Sequence, residues 1–298
     1  MQAFEPNAPR QRADFRFFHR LRVRWAEVDM QKIVFNAHYL MYFDTAVADY
    51  WRALALPYEE SMHALEGDLY VRKATVDFHA SARVDDVIDV ALRCARIGNS
   101  SMLFEGALFR GDQFLVGCDL VYVFADPATQ TSKPVPQTLR ETLMAYEAGE
   151  PMCELQSGTW EQLAEGASAL RRTVFIEEQS IPAELEWDDD DAKAVHAVAR
   201  NRLGHVVATA RLLQDAHHPG MARVGRVAVN RVLRGEGWGA KLMALLEDAA
   251  RERGDTEVRL HAQRSAVNFY KRLGYAECGE PFVEAGIPHV EMRRPLKD

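Results

Sequence analysis

Two short segments of the chain hold residues whose types and spacing could do chemistry. The first is a glycine-rich turn in which Arg234, Gly235, Gly237 and Gly239 follow a V-A-V strand and open a helix. Glycines let the backbone approach a ligand closely, and the exposed amides at a helix start converge on one place. The pattern predicts an anion site, and on the residues alone a purely structural turn remains the alternative.

The second segment places Asp29 in a loop between a predicted strand and a predicted helix. A carboxylate close to helix-terminal amides can attack a carbonyl that those amides polarise, or can activate water against it. We expect Asn36 to be the N-cap of that helix, which puts free amides nearby. On residue type alone, a solvated loop aspartate is the alternative.

The elements that must position Asp29 are a sheet and one apolar helix. FFHRLRVRW alternates as a strand, and four more β-rich segments follow between Gly, Asn or Asp turns. Between the first of these segments and the other four, AHYLMYFDTAVADYWRALAL carries apolar residues on nearly every face. Because such a helix must be wrapped by other structure, the sequence predicts an antiparallel sheet curled around one central helix.

The elements around the glycine turn alternate between helix and strand. WEQLAEGASALRRTVFIEE looks helical, and two strands form a predicted hairpin around residues 202–204. GWGAKLMALLEDAARERG predicts an amphipathic helix that ends at Gly254, its C-terminal cap. TEVRLHAQ, a helix SAVNFYKRLG and a strand HVEMRR follow. The prediction is a mixed sheet with helices on both faces, and so an α+β chain overall.

The length of the chain and the position of its turn and linker residues predict two domains. A chain of 298 residues is about twice the usual domain size. Turn and linker signals between residues 126 and 158 place a boundary near residue 150. We expect a flexible leader over 1–14, a first domain over 15–147, a linker over 148–153 and a second domain over 154–298.

Composition excludes several classes of protein. With 48% hydrophobic residues the chain is globular, and its net charge of −8 argues against nucleic acid as a partner. The four cysteines form no CxxC pair, which predicts reduced thiols and no structural zinc. No signal peptide or run of roughly 18 apolar residues is present. We therefore expect a cytoplasmic protein that binds neither metal nor membrane.

Two familiar phosphate motifs fit the glycine turn poorly. A dinucleotide fingerprint needs an earlier βαβ unit and an acidic residue about 20 positions further on. A nucleotide-triphosphate loop needs Gly-Lys followed by a hydroxyl residue. Here Gly239 is followed by Ala240 and Lys241.

The second half instead resembles the GNAT acyl-CoA N-acyltransferase superfamily over about residues 152–298. The resemblance rests on RxxGxG after the V-A-V strand and on NFYKRLGY about 30 residues later. It implies that the turn holds the CoA pyrophosphate, that the preceding strand splays to admit the pantetheine arm, and that Tyr270 protonates the leaving thiolate. The residues that it assigns to CoA binding are Val227, Ala228, Val229, Arg234, Gly235, Glu236, Gly237, Trp238, Gly239 and Asn268.

The acceptor side of that half is less defined. VFIEEQSIPAELEWDDDDAKAVH and GIPHVEM resemble the acceptor region of one GNAT branch. The acidic run 188–191 either attracts an amine or is a solvated loop. His289, Glu177 and Glu178 are open alternatives for the base or for acceptor contacts.

The first half resembles the 4-hydroxybenzoyl-CoA thioesterase branch of the hotdog superfamily over roughly residues 15–147. Asp29, Ile33, Val34, Phe35 and Tyr39 match its signature. The resemblance implies that Asp29 is the catalytic carboxylate, that the Asn36 amide polarises the thioester carbonyl, and that a homodimer or larger even oligomer forms through this half.

Two residues depart from the hotdog signature. Lys32 stands where glycine is usual, and His38 where asparagine is common. If the first position needs a positive φ, the lysine strains the loop by about 1 kcal/mol.

Both resemblances imply coenzyme A or acyl-CoA as the substrate. The leading hypothesis is a fused enzyme that hydrolyses an acyl-CoA thioester in the first half and transfers an acyl group to an amine in the second. The alternative makes one half non-catalytic: the GNAT-like half is then an acyl-CoA-binding regulator, or the hotdog half a dimerisation scaffold.

Overall fold

The structure is a computed structural model that describes residues 10–215 and 218–296. The chain divides into two compact units between Met152 and Cys153, inside the segment expected to be a linker. Each unit contains one sheet, and each buries its own apolar residues. No described helix has the length and apolar character needed to cross a membrane.

The expected flexible leader is partly ordered. Residues 1–9 lie outside the described residues, but Arg10 donates to the carbonyl of Cys118 at 2.8 Å and pairs with Asp119. Arg12–Asp14 then form one 3₁₀ turn. The prediction of a leader over 1–14 was therefore wrong for its last residues. These contacts depend on an arginine in a polar segment, which leaves no periodic signal in the sequence.

The first unit contains five strands and three helices. The strands are β1 (Phe17–Arg22), β2 (Asp68–Phe78), β3 (Val87–Ile97), β4 (Ser101–Arg110) and β5 (Gln113–Ala125). The helices are α1 (Asn36–Ala53), α2 (Tyr58–Ala64) and α3 (Gln137–Ala148). All strand pairs are antiparallel, and the sheet order is β1-β3-β4-β5-β2.

Helix α1 packs on this sheet, which confirms the predicted combination of an antiparallel sheet and a central helix. Phe43 is fully buried, and a Cβ on Gly106 of β4 would lie 2.6 Å from its ring. The glycine therefore lets the helix approach the sheet closely. The expectation that α1 is wrapped on nearly every face was wrong, because Leu40 and Met41 are exposed. Only one sheet covers the helix within the described residues of this unit.

The second unit contains seven strands and four α-helices. The strands are β6 (Cys153–Gly158), β7 (Val195–Asn201), β8 (Val206–Gln214), β9 (Met221–Val229), β10 (Glu257–Gln263), β11 (Ala276–Glu284) and β12 (Ile287–Pro295). The helices are α4 (Trp160–Arg171), α5 (Ala183–Glu186), α6 (Trp238–Arg253) and α7 (Val267–Arg272). A π-helical segment, Arg172–Glu178, continues α4.

The sheet of this unit is mixed, as predicted. Its order is β11-β12-β10-β9-β8-β7-β6, and β9 and β10 are its parallel pair. Residues 207–212 of β8 are all buried, so both faces are covered there. The β7–β8 hairpin and the cap at Gly254, where φ is 92°, confirm two local predictions. Strands β6 and β11 were not predicted.

Glu27 anchors the loop between β1 and α1. Its buried carboxylate accepts hydrogen bonds from the hydroxyl of Tyr42 at 2.7 Å and from the amide of Arg24 at 2.7 Å. Its backbone carbonyl accepts from the amide of Phe35, the residue before α1. Burial by itself raises the pKa of Glu27, but the hydrogen bonds from Arg24 and Tyr42 outweigh it and hold the pKa below its usual value.

We predict that Glu27→Gln loosens this loop by about 1–3 kcal/mol at pH 7, because the buried partners lose a charged acceptor. A carboxylate with a lowered pKa stabilises the fold above its unfolded pKa and loses that effect as the pH falls through its folded pKa. The difference from wild type should therefore shrink below about pH 4.

Hydrogen–deuterium exchange of the peptide spanning residues 23–38, corrected for intrinsic rates, measures this opening in the full chain. Glu59→Gln, an exposed change on α2, serves as the matched control. A difference that is as large at pH 3 as at pH 7 would show that the charge of Glu27 is not what holds the loop.

Candidate functional site

The strands β9 and β10 separate halfway along their length. They pair from Met221–Glu257 to Val224–Leu260 and no further, while β9 stays paired with β8 as far as Val229. A cleft of about 310 Å³ opens at this fork and is lined by both strands. The expectation that the strand before the glycine turn splays from its neighbour is confirmed.

A β-bulge shapes the β9 side of the cleft. Two residues of β9, Arg226 and Val227, oppose Ala210 of β8, and Arg226 has a φ of 52°. Bulges of this kind redirect side chains and are common beside active sites. The Arg226 guanidinium holds the strained backbone in place by donating to the carbonyl of Glu186 at 3.0 Å. Val227 lines the cleft as a result.

The glycine turn presents free amides at the start of α6. Gly235 and Gly237 have φ values of 93° and 83°, and Gly237 is the N-cap residue. Among the described residues, no protein group accepts from the amides of Gly237, Trp238 or Gly239. Positive φ values of this size favour glycine, so both glycines are required by the backbone. The turn can hold an anion through these amides and the helix dipole.

The other residues assigned to CoA contribute in different ways. Trp238 is buried and Gly239 packs closely, because a Cβ there would lie 3.2 Å from the ring of Phe269. Their side-chain positions therefore serve packing, and only their amides face a ligand. Glu236 and Asn268 are exposed. Ala228, Val229 and Val227 form the last residues of β9, as expected.

Arg234 lies beside the turn and is already paired. Its guanidinium donates to both carboxylate oxygens of Glu178, at 2.6 and 2.7 Å. The hydrogen bonds from Arg234 lower the pKa of Glu178. Glu178 is thus a partner of the phosphate turn, delivered by the π-helical segment, and its lowered pKa makes it a weak base.

Tyr270 of α7 lies at the cleft. The residue is 7% exposed, and its hydroxyl has no hydrogen-bond partner among the described residues. Burial raises the pKa of Tyr270, so its phenol keeps its proton at neutral pH. The side chain is therefore a free proton donor at the surface of the cleft.

The acidic run 188–191 has a role that neither expectation anticipated. Asp188 and Asp191 accept from Arg211 at 2.6 and 2.7 Å, within a largely buried ion network. The network consists of Arg171, Arg211, Arg226, Glu186, Asp188 and Asp191. Because removing one partner leaves a buried charge uncompensated, the network fixes α4, α5 and β8 on one another.

The candidate bases occupy different places. His289 lines the cleft, and its Nδ1 donates to the carbonyl of Ile287 at 2.7 Å. Glu177 is exposed and is not among the residues that line the cleft. His261, which lines the cleft beside Glu284, was not predicted. The two residues are 23 positions apart, so no local sequence pattern indicates that they pair.

The Asp29 loop of the first unit is a small closed turn. Val28 and Val34 form an antiparallel bridge, and the Asp29 amide donates to the carbonyl of Ile33 at 2.9 Å. One carboxylate oxygen of Asp29 accepts from the Gln31 amide at 2.8 Å, and the carboxylate is partly exposed. The turn therefore leaves the second oxygen of Asp29 available.

Helix α1 begins where this turn ends. Phe35 is the N-cap residue and Asn36 is the first helical residue, so the expectation of Asn36 as the N-cap was wrong. The reason is that the Phe35 amide is held by the carbonyl of Glu27, which fixes the extended backbone one residue earlier. The amide of Asn36 has no acceptor among the described residues and is free to polarise a carbonyl.

Lys32 has a φ of 61°, the left-handed conformation that the usual glycine would adopt easily. The position thus needs a positive φ, and the lysine strains the loop by about 1 kcal/mol.

Apolar side chains surround the Asp29 loop on the surface of the unit. Trp25 is 82% exposed, Met30 is fully exposed, and Phe35 is about half exposed. These three exposed apolar residues all lie in the segment 25–35, on either side of Asp29 in the sequence. In the part of the chain that the structure describes, no cluster of three or more His, Cys, Asp or Glu residues could hold a metal ion.

Comparison with known families matches one family to each unit. Residues 31–116 match the thioesterase superfamily, and residues 162–296 match the acetyltransferase (GNAT) domain. A UPF0039 protein of Schizosaccharomyces pombe is 39% identical over 129 residues, which are 43% of this chain and 84% of that protein. The uncharacterized N-acetyltransferase YjcF of Bacillus subtilis is 35% identical over 45% of this chain and 94% of its own.

Solved structures resemble each unit separately. An acyl-CoA N-acyltransferase from Pseudomonas aeruginosa is 33% identical and covers 48% of this chain and 99% of its own, with a TM-score of 0.43. A 1,4-dihydroxy-2-naphthoyl-CoA thioesterase from Synechocystis is 18% identical and covers 43% of this chain and 95% of its own, with a TM-score of 0.40. The chain belongs to the GNAT acetyltransferase family through its second unit, to which its first unit joins a domain of the thioesterase superfamily with the hotdog fold.

Proposed function

We propose that the chain is a CoA-dependent enzyme with two activities, acyl transfer to an amine in the second unit and thioester hydrolysis in the first. The observation that carries the proposal is the junction of a strand fork with a positive-φ glycine turn at the start of α6. The turn offers amides for a pyrophosphate, and the fork offers unpaired strand backbone for the pantetheine arm. Tyr270 lies at the cleft that the fork creates.

In the transferase unit, the amides of Gly237, Trp238 and Gly239 bind the pyrophosphate, and the backbone of residues 227–229 binds the arm. An amide of β9 polarises the thioester carbonyl, which stabilises the negative charge that develops on its oxygen. The amine nitrogen attacks the carbonyl carbon, and the carbon–sulfur bond breaks. Tyr270 gives its proton to the departing thiolate, so that free CoA thiol leaves.

In the thioesterase unit, the Asn36 amide and the start of α1 polarise the thioester carbonyl. The carboxylate of Asp29 either attacks this carbonyl or takes a proton from the attacking water. If Asp29 attacks, the carbon–sulfur bond breaks and water then hydrolyses the acyl–aspartyl anhydride. If Asp29 acts as the base, water adds to the acyl carbon and the carbon–sulfur bond then breaks. In both cases the thiolate takes up a proton. The products are a free acid and the CoA thiol.

The first unit acts as a homodimer or a larger even oligomer in this proposal. Strand β2 is an edge of the sheet, and its Val71 and Phe78 are exposed. The apolar side chains around Asp29 are exposed as well. A second copy that covers these surfaces removes both an open strand edge and an apolar patch from water.

We predict that Tyr270→Phe lowers acyl transfer to amines by about 10²–10⁴-fold while CoA affinity is retained. The hydroxyl has no protein partner within the described residues, so its loss should not disturb the fold. Thiol release from acetyl-CoA with and without amine measures the effect. Tyr275→Phe is the matched control: its hydroxyl donates to Glu247 at 2.9 Å, and its loss should reduce stability but spare activity. Unchanged acylation in Tyr270→Phe would contradict the role.

We predict that Asp29→Asn lowers hydrolysis of acyl-CoA, measured without amine over a panel of acyl chains, by about 10²–10⁴-fold. Acyl transfer should be unaffected, because the change lies in the other unit. Asp112→Asn, in the exposed β4–β5 turn, is the matched control. Full hydrolysis by Asp29→Asn would favour a scaffold role for the first unit.

A further inference from the structure

One face of the fork carries charged side chains that the CoA-binding residues do not use. Arg223 of β9 is aligned with Arg259 of β10, and His261 lies two residues further along β10 on the same face. Arg223 and His261 both line the cleft. Ordinary strand spacing puts their Cα atoms roughly 8 Å apart.

His261 forms a carboxylate–imidazole pair with Glu284. Glu284 is the last residue of β11, and its Oε2 lies 3.0 Å from Nδ1 of His261. A carboxylate only accepts, so Nδ1 carries the proton and Nε2 of the neutral ring keeps its lone pair. The ring also packs edge-on against Phe282 at 4.8 Å. His261 is thus an oriented imidazole with a free basic nitrogen.

His289 differs from His261 in both partner and exposure. Its Nδ1 donates to the backbone carbonyl of Ile287, and its ring stacks on Phe282 with the ring centroids 5.8 Å apart. The residue is buried, whereas His261 is exposed. The geometry makes His289 a packing residue of β12 and leaves His261 as the base that a solute can reach.

Arg223 is a cation without a counter-ion. Its side chain is exposed, and among the described residues no hydrogen bond or ion pair joins its guanidinium to another group. The nearby charges are already matched: Arg259 pairs with Glu257 at 2.7 Å and with Glu291 at 3.3 Å. Arg211 and Arg226, which also line the cleft, belong to the buried ion network. Arg223 is therefore available to an anionic group on a ligand.

From this arrangement we propose that the acyl acceptor is a primary amine that also carries a carboxylate. Arg223 binds the carboxylate, and His261, oriented by Glu284, takes the proton of the amine. The proposal rests on the acyl-transfer function proposed above and names its acceptor class. An arginine pairs with a carboxylate through two parallel hydrogen bonds, which orients the amine as well as binding it.

The proton balance of the step is complete. The ammonium of the acceptor gives one proton to Nε2 of His261, and the free amine attacks the acyl carbon. The second proton of the nitrogen passes to solvent as the amide forms. The thiolate takes the proton of Tyr270, and the tyrosine is reprotonated from solvent as His261 loses its proton. The sum is acyl-CoA plus ammonium giving amide, CoA thiol and one proton.

The test compares amino acids with their carboxamides as acceptors for acetyl-CoA in the full chain. The panel holds α-, β- and γ-amino acids, each beside the amide that lacks the negative charge. We expect the wild-type protein to use an amino acid with at least about tenfold higher kcat/KM than its carboxamide, since one arginine–carboxylate pair contributes this much or more.

Two variants separate binding from proton transfer. Arg223→Gln should raise KM for the amino acid at least about tenfold and leave the carboxamide unchanged, and Arg293→Gln on β12 is its matched control. His261→Gln should lower kcat about 10²-fold or more with KM for acetyl-CoA unchanged. Glu284→Gln, which only loosens the orientation of His261, should give a smaller loss of kcat. His289→Gln is the control for His261.

The outcomes separate the proposed acceptor class from the acyl-transfer function on which it rests. Acylation of carboxamides as fast as of amino acids, with no effect of Arg223→Gln, overturns the acceptor class but keeps the transferase. A larger kcat loss in His289→Gln than in His261→Gln overturns the assignment of the base. If no amine in the panel is acylated while acetyl-CoA still binds, the acceptor class is wrong; if polyamines and peptide amines are not acylated either, the transferase is wrong as well.

Discussion

The first amides of an α-helix have no partner inside the helix, and this constraint organises both units. Most helices satisfy these amides with a capping side chain. Helices α1 and α6 begin after Phe35 and Gly237, neither of which can cap through its side chain. Each helix start therefore keeps donors for an external acceptor; α1 follows the Asp29 turn, and α6 follows the glycine turn.

Buried polar groups and strained backbone positions hold these two helix starts in place. In the first unit, buried Glu27 fixes the loop, and Lys32 adopts a strained φ in the turn that carries Asp29. In the second unit, the ion network around Arg211 fixes β8, and the bulge at Arg226 bends β9 away from β10. Buried polar groups and a strained backbone cost stability, so their presence at these two places agrees with a functional role.

More of the fold than of the candidate sites could be predicted from the sequence. Periodic apolar segments and the glycine cap at Gly254 predicted both sheets and the helix after the glycine turn. Strand β11 was missed because its residues are mostly polar and exposed. The pairing of Asp188 with Arg211 joins residues 23 positions apart, and His261 meets Glu284 across the sheet. No local sequence pattern indicates contacts between residues so far apart. The role of the acidic run and the presence of the histidine in the cleft therefore could not be predicted from residue type.

The most direct test of the account is to locate CoA on the full chain by hydrogen–deuterium exchange. We compare the wild-type protein with Gly237→Ala and with Gly254→Ala, which strain the two ends of α6 at positive-φ glycines of similar conformation. We expect CoA to protect residues 231–245 in the wild type and in Gly254→Ala, and Gly237→Ala to need at least about tenfold more CoA. Saturating CoA that leaves this peptide unprotected, or equal protection in all three proteins, would rule out a CoA site at the start of α6.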